Sequence, residues 1–212
     1  MKKILLFTAA IAFAFTTAQA QEIRLGAKVG VNFANLNSSD SNFDMDGLTS
    51  FHIGGLVEIP ITEEFAIQPE LVYSAQGGQL KGSEEYLGMT MKYEAKNKID
   101  YVNIPIMAKY YLIEGLALEA GPQIGFLTSA KSEYEISFDG ETESETVDFK
   151  KELKSIDFGI GLGASYRLEA GAFLSLRYNL GLSDIGDSKD DDFAGFEKVK
   201  HGVFQISVGY SF

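Results

Sequence analysis

From His201 to Phe212 the chain alternates with a period of two. Phe204, Ile206, Val208, Tyr210 and Phe212 fall on one side, and Val203, Gln205, Ser207, Gly209 and Ser211 on the other. Successive side chains of a β-strand point to opposite faces, so this segment reads as a strand with two chemically different surroundings. A row of large apolar groups backed by a row of small and polar ones suits a transmembrane barrel wall, which meets hydrocarbon outside and a polar interior inside.

The same test succeeds seven more times upstream. Ile23 to Phe33 is apolar at every odd position, with Arg24, Gly26, Lys28, Gly30 and Asn32 between. A second strand at about 50–59 sets Phe51, Ile53, Val57 and Ile59 against His52, Gly54 and Glu58, and a third at 65–75 sets Phe65, Ile67, Leu71 and Tyr73 against Gln68, Glu70 and Ser74. The fourth (99–112) and fifth (116–128) carry Lys109 and Glu119 on their polar faces. Pro105 and Pro122 fall within them, and because proline removes a ladder donor a bulge is expected at each. The sixth (155–167) alternates Ile156, Phe158, Ile160 and Leu162 with Asp157, Gly159, Gly161 and Gly163, and the seventh (172–182) carries Arg177. With the terminal segment this gives eight strands, an even number that places both termini at one end.

Connections alternate in length. Short turns fall near 60–64, 113–115 and 168–171, whereas polar stretches at about 36–49, 77–98, 129–154 and 183–200 read as long loops. The expected fold is therefore all-β, an eight-stranded antiparallel up-and-down transmembrane barrel with short periplasmic turns and long external loops.

Lys2 and Lys3, the apolar run Ile4 to Phe15, and Ala18-Gln19-Ala20 form the three parts of a signal peptide. The expected division is a leader at 1–20 and a barrel domain at 21–212. Removing the leader takes two lysines and no acid, which moves the net charge from -12 to -14 (16 basic minus 30 acidic). That balance disfavours nucleic acid or an anionic membrane surface as a partner, because both need basic patches. With no cysteine, disulfides, zinc thiolates and thiol nucleophiles are excluded.

Eight strands enclose a space that side chains nearly fill. The inward charged candidates are Arg24, Lys28, Glu58, Glu70, Lys109, Glu119, Asp157 and Arg177, four of each sign. A balanced set in a small lumen predicts an ion-paired plug, since an unpaired buried charge is costly.

The ordered segments GAKVGVNFANL (26–36), YVNIPIMAKYYL (101–112), GPQIGFL (121–127), FGIGLGASY (158–166), RYNLGLSDI (177–185) and the terminal SVGYSF together resemble the PorT-like outer-membrane β-barrel family over the whole mature chain. The resemblance implies an eight-stranded barrel in the outer membrane of a Gram-negative bacterium. PorT itself is linked to a protein secretion system, and nothing in these segments singles out that role.

Catalytic and metal-binding patterns are thin. His52 and His201 would flank the first strand, and Ser50 or Ser74 with Glu58 or Glu70 could complete a hydrolase triad at the rim. Six residues along one strand span about 20 Å, which separates His52 from Glu58 and favours hydrogen-bonding histidines. Asn42 to Gly47 opens like a calcium loop, but Ile53 stands where the glutamate belongs. The acids Glu141, Glu143, Glu145 and Asp148, and Asp187, Asp190, Asp191 and Asp192, read as solvated loop charges. No metal or cofactor is expected. Phe33, Phe51, Tyr73, Tyr101, Tyr110, Phe126, Tyr166, Tyr178, Tyr210 and Phe212 lie near strand ends, where aromatic girdles form.

These observations lead to a non-enzymatic integral outer-membrane barrel with a structural, adhesive or envelope-support role. Outer-membrane lipid, lipopolysaccharide and the barrel-assembly machinery are its expected partners, and an extracellular or envelope protein is a further one. Phe212 is the expected assembly signal. The alternatives are a narrow pore or small-ligand barrel, an accessory of a secretion system, a rim enzyme, and a lipocalin-like soluble barrel with its apolar face inward.

Overall fold

The computed structural model describes residues 23–37, 46–86, 89–138, 141–186 and 199–212. Its strands are β1 (Arg24–Asn37), β2 (Asp46–Pro60), β3 (Phe65–Tyr86), β4 (Met89–Ile113), β5 (Leu116–Phe138), β6 (Glu141–Asp148), β7 (Ile156–Arg167), β8 (Ala172–Gly181) and β9 (Lys200–Ser211). Each pairs antiparallel with its neighbours, and the order β4-β3-β2-β1-β9-β8-β7-β5 closes on itself through β4–β5. Eight strands thus form the ring, and β6 lies outside it against the upper part of β5. The seam between first and last strands runs from Gly26↔Ser211 to Asn37↔Lys200. Leu25 and Phe212 add a reciprocal pair of backbone bonds, at 3.0 and 2.8 Å.

Tight turns close one end. Gly115 adopts φ +80° between β4 and β5, and Gly171 adopts φ +93° between β7 and β8, a left-handed region where side chains are disfavoured. Between β2 and β3 the Thr62 hydroxyl accepts the backbone N–H of Phe65 at 3.0 Å, which fixes that turn without glycine.

The opposite end differs from the sequence reading. Residues 77–98 and 129–154 include long strand extensions rather than loops. β3 and β4 stay paired as far as Tyr86↔Met89, β4 and β5 as far as Met91↔Phe138, and β6 adds a fourth strand. The period-two signal is present there, with Met91, Tyr93 and Ala95 alternating with Lys92, Glu94 and Lys96, but charge density on one face disguised it as loop. The result is a four-stranded wall rising on one side of the barrel. Residues 89–100 of β4 alone account for about 40 Å of it, at about 3.3 Å per residue.

The bulges expected at Pro105 and Pro122 are absent. Pro105↔Gln123 and Ala108↔Ala120 keep one register, so the ladder skips pairs there without slipping. Register shifts fall instead at Asp100/Tyr101 and Tyr111/Ile113. The first lies where the outward face changes from Ile104 and Val102 to Asp100 and Lys98, so the bulge marks the change from barrel to wall.

Candidate functional site

Polarity is inverted relative to a soluble barrel. Leu71, Leu162 and Val208 on the outside are 59%, 55% and 56% exposed, and similar residues line the outer surface of every ring strand. The interior holds Lys28, Asn32, His52, Glu58, Glu70, Lys109, Glu119, Arg177 and Gln205, all buried. A soluble protein rarely exposes a contiguous apolar patch beyond a few hundred Å². Here the patch encircles the molecule, which is the surface a bilayer demands and the reverse of a lipocalin-like arrangement.

The model for the outer membrane protein beta-barrel domain matches residues 18–187. This chain belongs to that outer-membrane β-barrel family. A solved structure extends the likeness at the level of fold. Ail, the attachment invasion locus protein of Yersinia pestis, is 12% identical with TM-score 0.50 over 91% of this chain and 100% of its own. Neisserial surface protein A is 12% identical with TM-score 0.43 over 91% and 100%, and OprG of Pseudomonas aeruginosa is 15% identical with TM-score 0.42 over 89% and 95%. No curated protein matches the chain. The chain is therefore an integral outer-membrane β-barrel protein.

Three layers fill the lumen of this barrel. Nearest the short turns is an ion network. Arg24 Nη1 and Lys109 Nζ donate to the two oxygens of Glu58 at 2.7 and 2.8 Å. Lys109 also donates to Gln68, whose amide donates to Glu70 at 2.7 Å. Glu70 then receives Lys28 Nζ at 2.6 Å and a bidentate pair from Arg177 at 2.9 and 2.7 Å. Arg177 Nε and the Ser175 hydroxyl reach Glu119 at 3.0 and 3.1 Å. Arg24 and Lys28 share β1, and the other five charged groups come one each from β2, β3, β4, β5 and β8, so the network laces these six strands together.

Seven of the eight charged residues expected in the lumen meet in this network. Asp157 does not: it accepts a hydrogen bond from Ser183 at the long-loop end. The connected set is four cations against three anions. Arg24, with a side chain 32% exposed, is the member open to solvent, which leaves three of each sign inside. A cavity of about 10 Å³ between Lys28, Glu58, Glu119 and Arg177 has room for about one water.

The middle layer is neutral and polar. His52 Nδ1 lies 2.7 Å from Asn32 Oδ1 and its Nε2 lies 2.8 Å from Ser207 Oγ. Asn32 donates to the Ser74 hydroxyl at 3.0 Å, and Gln205 donates to Asn32 at 2.8 Å. The His52 ring is flanked by Gly30, where an added Cβ would stand 2.6 Å from the ring and 2.0 Å from the Ile206 carbonyl oxygen. Neither ring nitrogen of His52 has a carboxylate partner, so the triad considered with Glu58 or Glu70 is not assembled. His52 also lies inside the lumen and not at its rim.

The third layer is apolar. Leu36, Ile99, Tyr101, Leu127, Ala130, Ile185 and Val199 form a buried cluster, with Phe149 and Leu153 against it, closing the long-loop end. Tyr101 thus leaves the expected aromatic girdle. Odd-numbered residues of β4 face inward at this height, and its ring sits edge-on to His201 with the hydroxyl 3.2 Å from Nε2. The other named aromatics face outward, with Phe33 and Phe204 at 6.4 Å, Phe51 and Tyr73 at 5.8 Å and Tyr210 and Phe212 at 6.4 Å between ring centroids.

Among the described residues no cluster of His, Asp or Glu is arranged to hold a metal ion. The calcium-like segment falls mostly outside the described residues, as do Asp187, Asp190, Asp191, Asp192 and the leader. Glu141, Glu143, Glu145 and Asp148 belong to β6, not to a loop.

The wall is the feature that sequence reasoning missed. Cross-strand register sorts its residues into two faces. Lys81, Glu94 and Glu135 share the outward face, as do Lys96 with Glu133 and Lys98 with Lys131. Glu94 there is bonded to Lys81 at 2.9 Å and Lys96 at 3.1 Å, and Lys98 to Glu133 at 2.6 Å. The paired Lys81 and Lys96 ammonium groups hold the Glu94 carboxyl below its ordinary value, and Glu94 in turn pushes Lys96 up. The inward face, continuing from Ile99, carries Leu80, Tyr93, Tyr134, Ile136 and Val147.

Proposed function

We propose that this protein is a non-enzymatic, non-conducting barrel that anchors an external sheet, with a structural, adhesive or envelope-support role. The three-layer plug carries this reading: ion pairs, a hydrogen-bonded polar layer and an apolar cap follow one another along the axis, and the cavity among the ion pairs has space for about one water. A solute path would have to break buried charge pairs, and a catalytic one would need a nucleophile-base pair where His52 instead contacts Asn32 and Ser207.

In this reading the leader at 1–20 exports the chain, the tight turns and both termini lie in the periplasm, and the wall stands outside the cell. Outer-membrane lipid and lipopolysaccharide cover the apolar belt. The mixed-sign outward face of the wall suits a headgroup zone of phosphates bridged by divalent cations. The barrel-assembly machinery meets β9 and Phe212. A closer affiliation with PorT-like proteins rests on the ordered segments named above.

Two measurements test the proposal. Reconstituted in planar bilayers, the protein should show no steady conductance steps; reproducible openings would replace this reading with a narrow pore. Cells that lose the chain and regain it on complementation should differ in attachment or in envelope resistance to detergent. No difference in either would count against the adhesive and support roles together.

A further inference from the structure

We propose that the β6 edge and the inward face of the wall form a docking site for an extended, cationic polypeptide segment that adds as a further strand. The inference rests on the adhesive reading and specifies its partner chemistry. Three independent observations meet at this place. Among the described residues β6 pairs with β5 on one side and with no strand on the other, and all eight of its residues are exposed. Such an edge presents unpaired backbone donors and acceptors that can receive a strand.

The second observation is apolar. On the inward face Leu80 is 39% exposed, Tyr93 36%, Tyr134 45%, Ile136 50% and Val147 44%. The register places Ala95, Tyr134 and Glu145 in one row, and Tyr93, Ile136 and Glu143 in the next, so the patch reaches the glutamates that line the open edge, with Val147 beside them. Tyr93 is spread over Gly82, where an added Cβ would lie 2.1 Å from its ring, so the patch is flat at that row.

Charge is the third. On this face, from Leu80 upward, the charged residues among those described are Glu84, Glu141, Glu143 and Glu145, and none is basic. The lysines Lys81, Lys92, Lys96 and Lys98 all lie on the opposite, outward face. An incoming strand with lysine or arginine at alternate positions sets their charges beside Glu141, Glu143 and Glu145 on the inward face and their aliphatic stems toward Tyr134, Ile136 and Val147, while the residues between point to the outward face beside Thr142, Ser144 and Thr146. A second copy of β6 is the wrong occupant, because it brings glutamates onto the same face as Glu141, Glu143 and Glu145.

The test uses the purified full chain in nanodiscs and three fluorescent ten-residue peptides. One alternates lysine with valine and tyrosine, one carries glutamate for lysine, and one is the lysine peptide N-methylated at alternate backbone nitrogens. The lysine peptide should bind, and the other two should bind at least about tenfold more weakly. The double variant Glu143→Lys, Glu145→Lys should lose about tenfold for the lysine peptide while keeping its heat-modifiable gel mobility, the sign of an intact barrel. Absence of binding up to about 1 mM, equal binding of the N-methylated peptide, or equal binding of the glutamate peptide would each overturn the proposal. Cell attachment that persists without peptide binding removes this site alone. Peptide binding without attachment removes the adhesive reading.

Discussion

Replacing Glu70 by glutamine should destabilise the barrel by about 3–5 kcal/mol, the usual cost of removing one partner from a buried ion pair. Glu70 receives Lys28, Gln68 and both terminal nitrogens of Arg177. Without it Arg177 keeps Glu119, but Lys28 loses the carboxylate it touches, and its side chain is 2% exposed. The interior then holds three cations against two anions. Adding Lys28→Met restores two against two with a side chain of similar length, so the double variant should recover at least about half of the loss. Urea unfolding of the folded barrel in detergent, followed by circular dichroism and by gel mobility, supplies the comparison; tyrosine emission serves as the optical probe because the chain has no tryptophan. A Glu70→Gln variant within about 1 kcal/mol of the parent, or a double variant worse than the single, would refute the argument that the lumen is held by charge balance.

Other consequences are as direct. Gly30→Ala should fail to yield heat-modifiable barrel, because its Cβ would stand 2.0 Å from the Ile206 carbonyl oxygen at the β1–β9 seam, where backbone cannot yield; normal yield would refute this. Tyr101→Ala should cost about 3–5 kcal/mol in the same unfolding assay by opening the apolar cap, whereas Tyr101→Phe should cost about 1 kcal/mol for one hydrogen bond. Glu94 is bonded by two lysines and held below its ordinary value of 4.5. Because its folded value is depressed, its contribution to the wall is complete above 4.5 and is lost as pH falls through the lower folded value. Titration of the Glu94 carboxyl by nuclear magnetic resonance should give a midpoint below 4.5, rising towards it in high salt; a midpoint at or above 4.5 in low salt would refute the pairing.

Much of the barrel was legible in the chain because alternation is a local property. Residues 156–167 announce a strand with an apolar outer face without reference to any partner. The charged positions of the lumen were legible for the same reason: each of Lys28, Glu70, Lys109, Glu119 and Arg177 interrupts the inward row of its own strand. Who pairs with whom was not, since Glu70 and Arg177 are separated by 107 positions and meet across the barrel interior. Asp157 obeys the same alternation yet lies too high along the axis to join the others. Proline spacing predicted bulges that the ladder avoids by leaving pairs unmade in register.

Alternation by itself determined that this chain forms an antiparallel sheet of eight two-faced ring strands, because a period of two is imposed by backbone geometry at each residue. It did not determine which face is inside. Ring closure decided that, by bringing buried charges within bonding distance of one another and leaving the aliphatic rows on the outside. Nor did it determine the wall, where alternation is partly masked by charge and strand pairing depends on neighbours across two hairpins. Those are properties of contacts between distant segments, and only the tertiary structure creates them.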